Sequence, residues 1–165
     1  HHDPLPEYFP IDERIPTAVD DWYSLSKLAD EQTLGMACSH WGMSGVAIRL
    51  PWLADPDDVR RESDSQTADP GRSMRVGWGW IDTRDAAEAI IGALLAPYEG
   101  CHVVCICADE TLVPYRTEDL LDRFAPTVPR RSPIPGRSTP IDTSAARQLF
   151  GFDPRYGCAL ESRTL

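Results

Sequence analysis

"GVAIRLPWL" (residues 45–53) decides the fold class. It is a continuous apolar run, cut by Arg49 and stopped by Pro51. A strand with one wet face alternates apolar and polar residues, whereas a strand buried on both faces does not. The run therefore predicts a strand inside a parallel sheet. "HVVCICA" (102–108) reads the same way, and "WGWID" (78–82) is a third, shorter strand candidate.

Helical patterns lie between and around these runs. Residues 22–41 carry Leu25, Leu28, Ala29 and Met36 at helical spacing, with Gly42 as the stop. "DTRDAAEAIIGALLAP" (82–97) predicts a helix capped by Asp82 or Thr83, its apolar face built from Ala86, Ala87, Ile90, Ile91, Leu94 and Leu95. "TEDLLDRFAP" (117–126) predicts a helix with Thr117 as N-cap, and "DTSAARQLFGF" (142–152) one closed by Gly151. Residues 54–77 are polar and read as a long surface connection with room for a short helix. Residues 1–20 and 130–140 read as loops. Helices alternating with buried strands make the class α/β.

Composition narrows the function classes. The chain has 165 residues and a formal charge of −10. An acidic chain repels phosphate backbones, so nucleic acid is not expected as a partner. The longest apolar stretch, 86–97, contains Glu88 and is too short to span a bilayer, so no membrane partner is expected. "HHDPLPEYFP" does not read as a signal peptide. His1 and His2 fit a tag remnant, a native loop or a weak metal site, with no third ligand in view. The five cysteines lack a paired C-x-x-C framework. Cys101, Cys105 and Cys107 share a strand face with Val103, which predicts core packing, reduced thiols, a cytoplasmic setting and no metal centre.

Within residues 21–32, "DDWYSLSKLADE", Tyr23 and Lys27 stand one helical turn apart and face the same way. An ammonium beside a phenol favours the phenolate, which moves the phenol toward general acid/base work. On spacing alone, the pair reads rather as a tyrosine and a lysine on an ordinary exposed face.

The order of further segments lends the pair meaning. "FPIDERIP" precedes it; "VAIRLPWL", "WGWIDTRDAAEAI", "HVVCICADET" and "IDTSAARQLFGFDPRY" follow. Taken in that order, these segments resemble the C-terminal portion of the extended short-chain dehydrogenase/reductase family, NAD-dependent epimerase/dehydratase group. The resemblance implies the C-terminal part of a Rossmann-like NAD(P)-binding fold with a small substrate-binding lobe. Residues 1–53 and 82–113 would form the second half of the Rossmann-like domain, and 54–81 and 114–165 the lobe and C-terminal elements. It implies NAD or NADP as cofactor, a small sugar or other hydroxy/keto substrate, and a homodimer formed through the helix that carries the pair. Tyr23 and Lys27 would be catalytic and touch the cofactor, together with Pro51 and Trp52. Arg49, Arg75, Trp78 and Arg84 are the candidate substrate contacts.

Two departures qualify the resemblance. The family's sugar-diphosphate arginine is matched here by Trp78, which favours a substrate smaller than a nucleotide sugar. No G-x-x-G-x-x-G cradle occurs, so the chain by itself is not expected to bind a dinucleotide or to be active. Rival readings are a nucleotide-sugar epimerase, a non-catalytic dinucleotide sensor or scaffold of the same fold, and a stand-alone interaction domain.

Overall fold

The computed structural model describes residues 5–165. His1 and His2 lie outside the described residues. Two parallel strand pairs organise the chain. β1 (Gly45–Arg49) pairs with β4 (Cys101–Cys105) from Gly45 opposite Cys101 to Arg49 opposite Cys105. β2 (Trp52–Ala54) pairs with β3 (Trp80–Asp82). Both pairs are parallel, as the continuous apolar runs predict. The run 45–53 is broken at Leu50–Pro51, however, because proline has no N–H to give to a ladder.

α1 (Trp22–Trp41) covers one face of β1 and β4. A capping box of Asp21 and Ser24 starts it, and Gly42, at φ 64°, ends it by donating its N–H to the Cys38 carbonyl. α3 (Thr83–Leu95) and α5 (Ser144–Phe150) cover the other face. There Val46, Ile48, Val104 and Ile106 meet Ala86, Ala89, Ala146 and Phe152. Asp82 caps α3 by accepting the Arg84 N–H.

The face of α3 differs from the expected one. Asp85, Ala86, Ala89 and Ala93 are buried, while Ile90, Ile91, Leu94 and Leu95 are exposed, the two leucines at 78% each. Small residues let α3 lie close to its neighbours and turn its large side chains outward. Asp85 is buried because its carboxylate accepts the N–H groups of Arg155 and Tyr156, which pins the C-terminal tail.

The 54–77 connection is more ordered than its polarity suggests. It holds α2 (Pro56–Ala68) and a 3-10 segment (Pro70–Val76). Its buried contacts come from Ser63, Gln66 and Ser73 rather than from an apolar stripe. α4 (Thr117–Phe124) starts without a side-chain cap: Arg116 occupies the cap position, and the Thr117 hydroxyl donates instead to the Ser138 carbonyl. A second core joins Phe9, Trp78, Val113, Leu120, Leu121, Ala125 and Ile134, so the N-terminal segment packs into the same body as α4. Among the described residues no helix is long and apolar enough to cross a membrane.

Candidate functional site

α1 and β1 run antiparallel. Leu34 and Cys38, late in α1, lie beside Gly45 at the start of β1. Glu31, earlier in α1, pairs with Arg49 at the end of β1, with Nε and Nη2 donating to its two carboxylate oxygens at 2.8 and 3.0 Å. The N-terminal end of α1 therefore projects past the carboxyl ends of β1 and β4, the edge where open α/β sheets bind ligands. Tyr23 is eight residues before Glu31, about 12 Å further along the helix axis. A second ion pair, Arg75 Nη1 to Asp20 Oδ2 at 3.0 Å, ties the chain just before α1 to the 3-10 segment.

Tyr23 is 71% exposed. The Lys27 ammonium sits 5.7 Å from the centre of its ring. Lys27 also donates to Asp30 at 2.9 Å, and that hydrogen bond raises its pKa above the ordinary lysine value. Composition singles this residue out: Lys27 is the sole lysine of the chain, against 15 arginines. A chain that meets nearly every need for a cation with arginine uses a compact, rotatable ammonium at one place. That place is one turn after Tyr23.

Next to this end of α1 lies a groove of about 280 Å³. Arg49, Leu50, Pro51, Cys105 and Ile106 line it from the strand ends, Arg75 and Val76 from the 3-10 segment, and Ile11, Asp12, Ile15, Pro16 and Thr17 from the N-terminal segment. It brings together three of the expected residues, Arg49, Pro51 and Arg75. Both arginines are already paired, which orients their side chains. Glu13 adds a further strap. Its carboxylate accepts the Cys105 N–H at 2.7 Å, and its carbonyl accepts from Arg49 Nη1. Glu13 and Glu31 are the residues that sequence reasoning passed over, and no local spacing rule points to them.

The other expected residues lie elsewhere. Trp52 is partly exposed on β2. Arg84 lines a second hollow of about 660 Å³ with Arg60, Trp80, Asp82 and the tail residues Gly157 to Glu161 and Arg163. It is held by two bonds to Asp82 and lies 3.6 Å over the Tyr156 ring. The Arg84 guanidinium beside Asp82, together with the N–H that Asp82 accepts as a cap, holds the Asp82 carboxyl below its ordinary value against the opposing effect of burial. Trp78, also expected as a substrate contact, lines neither hollow. It is 0% exposed, donates its indole N–H to the Pro70 carbonyl and anchors the second core. Its φ of 53° follows Gly77 at 60°, a left-handed turn that drives the indole inward. Tyr23 and Lys27 line neither hollow.

No family model matches the chain, and no curated protein matches it. Among solved structures it is similar to that of RMD from Pseudomonas aeruginosa complexed with NADPH, at 18% identity and a TM-score of 0.56. The likeness takes in 90% of this chain and 55% of that one, so the chain spans about half the length of the structure it resembles. At that identity the likeness establishes the fold alone: α/β, Rossmann-like.

Proposed function

We propose that this chain carries the acid–base half of an NAD(P)-dependent oxidoreductase or isomerase of the epimerase/dehydratase type. The carrying observation is the placement of the sole lysine one turn after Tyr23, at the carboxyl edge of β1 and β4. The NADPH in the structural neighbour supports a nicotinamide cofactor.

The residues fit one end of that cofactor. Lys27 presents an exposed ammonium suited to ribose hydroxyls, and the chain at Leu50–Pro51 borders the groove where a nicotinamide ring would lie. Among the described residues no strand, glycine-rich turn and helix together form the amide cradle that a pyrophosphate needs. On this reading the cradle comes from polypeptide beyond these 165 residues. When bound, the nicotinamide supplies or accepts the hydride. Tyr23 Oη holds the proton that passes to a substrate carbonyl oxygen, or takes it from a substrate hydroxyl. Lys27 stabilises the phenolate left after that transfer. The Glu31–Arg49 and Asp20–Arg75 pairs keep this end of α1 in place beside the groove.

The substrate on this reading is a small sugar or other hydroxy/keto compound. Arg75 and Arg84 are engaged by Asp20 and Asp82, and Trp78 is buried, which together supports a small substrate over a nucleotide diphosphate. The exposed apolar residues Trp22, Leu25 and Met36 of α1 support a homodimer through that helix.

The test is Tyr23→Phe in the complete enzyme, followed at 340 nm with hydroxy and keto substrates. Turnover falls by roughly 10²–10⁴-fold while cofactor affinity stays within about twofold. Unchanged turnover overturns the assignment. Cofactor binding with no turnover in the unmodified enzyme favours the sensor reading instead.

A further inference from the structure

We propose that Cys38 and Cys101 form an oxidisable dithiol that closes into a reversible disulfide between α1 and β4. The argument begins at Gly45, which pairs with Cys101 in the parallel ladder. Residues paired across two parallel strands project their side chains to the same sheet face, with the strands about 4.8 Å apart. A Cβ built on Gly45 would lie 3.4 Å from the Cys38 sulfur and 2.6 Å from Leu34 Cδ1, so that face is the one α1 covers. Cys101 therefore points toward α1 beside the Cys38 thiol. The missing side chain at Gly45 lets Leu34 and the Cys38 sulfur come close to the strand beside Cys101.

The two thiols differ in a useful way. Cys101 is exposed, whereas Cys38 is buried under α1. Desolvation raises the Cys101 pKa, and the neighbouring Cys38 thiol raises it further. The other cysteines are poor competitors. Burial pushes Cys105 and Cys107 up to about 12 each, and both are buried. Cys158 is distant in the fold, on the C-terminal tail beside the second hollow.

The oxidant is a low-molecular-weight disulfide. The exposed Cys101 thiolate attacks one of its sulfurs, breaks the S–S bond and releases one small thiolate, which takes up the proton Cys101 lost. The result is a mixed disulfide on Cys101. The Cys38 thiolate then attacks the Cys101 sulfur and expels the second small thiolate, which takes the Cys38 proton. Two protein thiols are oxidised and one small disulfide is reduced to two thiols. A small dithiol reverses both steps.

The experiment treats the folded 165-residue chain with oxidised glutathione at mildly alkaline pH and maps the product by non-reducing peptide mass spectrometry. The expected result is a mass loss of about 2 Da and a thiol count lowered by two from five. One crosslinked peptide pair joins Cys38 to Cys101, and dithiothreitol reverses it. Cys101→Ser and Cys38→Ala each abolish the crosslink, while Cys158→Ser keeps it. A stable mixed disulfide on Cys101 with no crosslink, a crosslink to any other cysteine, or bridging that survives Cys101→Ser overturns the proposal. Far-ultraviolet circular dichroism of each variant confirms that the fold is kept, so a missing crosslink reports on the pair and not on unfolding.

Discussion

The two halves of the molecule are finished to different degrees. Around Trp78 the core is closed: Phe9, Val113, Leu120 and Leu121 are fully buried, and the Trp78 indole has its hydrogen-bond partner. Around β1 it is open. Every residue of β1 is only partly buried, and the helices on either side turn Trp22, Leu25, Ile91 and Leu94 to solvent. Strands read as buried on both faces belong inside a larger sheet. The closed half buries its own large apolar side chains, whereas the open half leaves apolar surface beside the end of α1 that carries Tyr23 and Lys27.

The largest effect should come from the closed half. Trp78→Ala removes a fully buried indole and is expected to destabilise the chain by about 3–5 kcal/mol, read from urea melts. A cost below about 1 kcal/mol would mean that this core is not closed after all. Next comes the strap between the halves. Arg49→Leu leaves Glu31 and the Glu13 carbonyl without their partner and should cost about 1–3 kcal/mol. In the complete enzyme it should also lower kcat more than it raises KM, because α1 loses its position. An equal effect on both parameters would instead make Arg49 a substrate contact.

Asp82→Ala tests the start of α3. It removes the N-cap and the pair with Arg84, and should cost about 1–2 kcal/mol at neutral pH. The sign with pH follows from the direction of the shift. The Asp82 carboxyl is held below its unfolded value, so its stabilisation is fully present above that value and is lost as pH falls through the folded one. The gap between the unmodified chain and Asp82→Ala should therefore narrow below about pH 4. A gap that is constant from pH 7 to 3 would remove the charge from the explanation. The smallest effect on stability belongs to the open half. Leu94→Ser with Leu95→Ser should change it by less than about 0.5 kcal/mol per site, yet lower self-association measured by sedimentation. A large loss of stability would mean that this face is covered within the chain.

Much of the fold is legible because punctuation and burial agree locally. Residues 22–41 read as a helix stopped by Gly42, and α1 spans Trp22–Trp41 with that cap. Gly151 closes α5 in the same way. What escapes the sequence is decided by partners far along the chain. α2 has Val59 as its lone sizeable apolar residue and buries Ser63 and Gln66, so no periodicity announces it. The outward leucines of α3 read as a core face because the pattern alone cannot say which side a sheet will take. Trp78 aligns with a substrate-binding position, but a left-handed turn sends it into the core. The Tyr23–Lys27 spacing is legible, and so is its helix. The two ion pairs that locate it span 18 and 55 residues, beyond any local pattern.

The central claim is that Lys27 stands where a nicotinamide cofactor binds. It can be read at one atom, because Lys27 Nζ is the sole side-chain amine among these 165 residues. The measurement is the rate of acetylation of Lys27, resolved by peptide mass spectrometry in the complete enzyme, with and without saturating NADPH or NADH. Protection of Lys27 by about tenfold or more is the predicted result, as expected when bound ligand occupies nearly every site. Equal labelling with the cofactor demonstrably bound would contradict it.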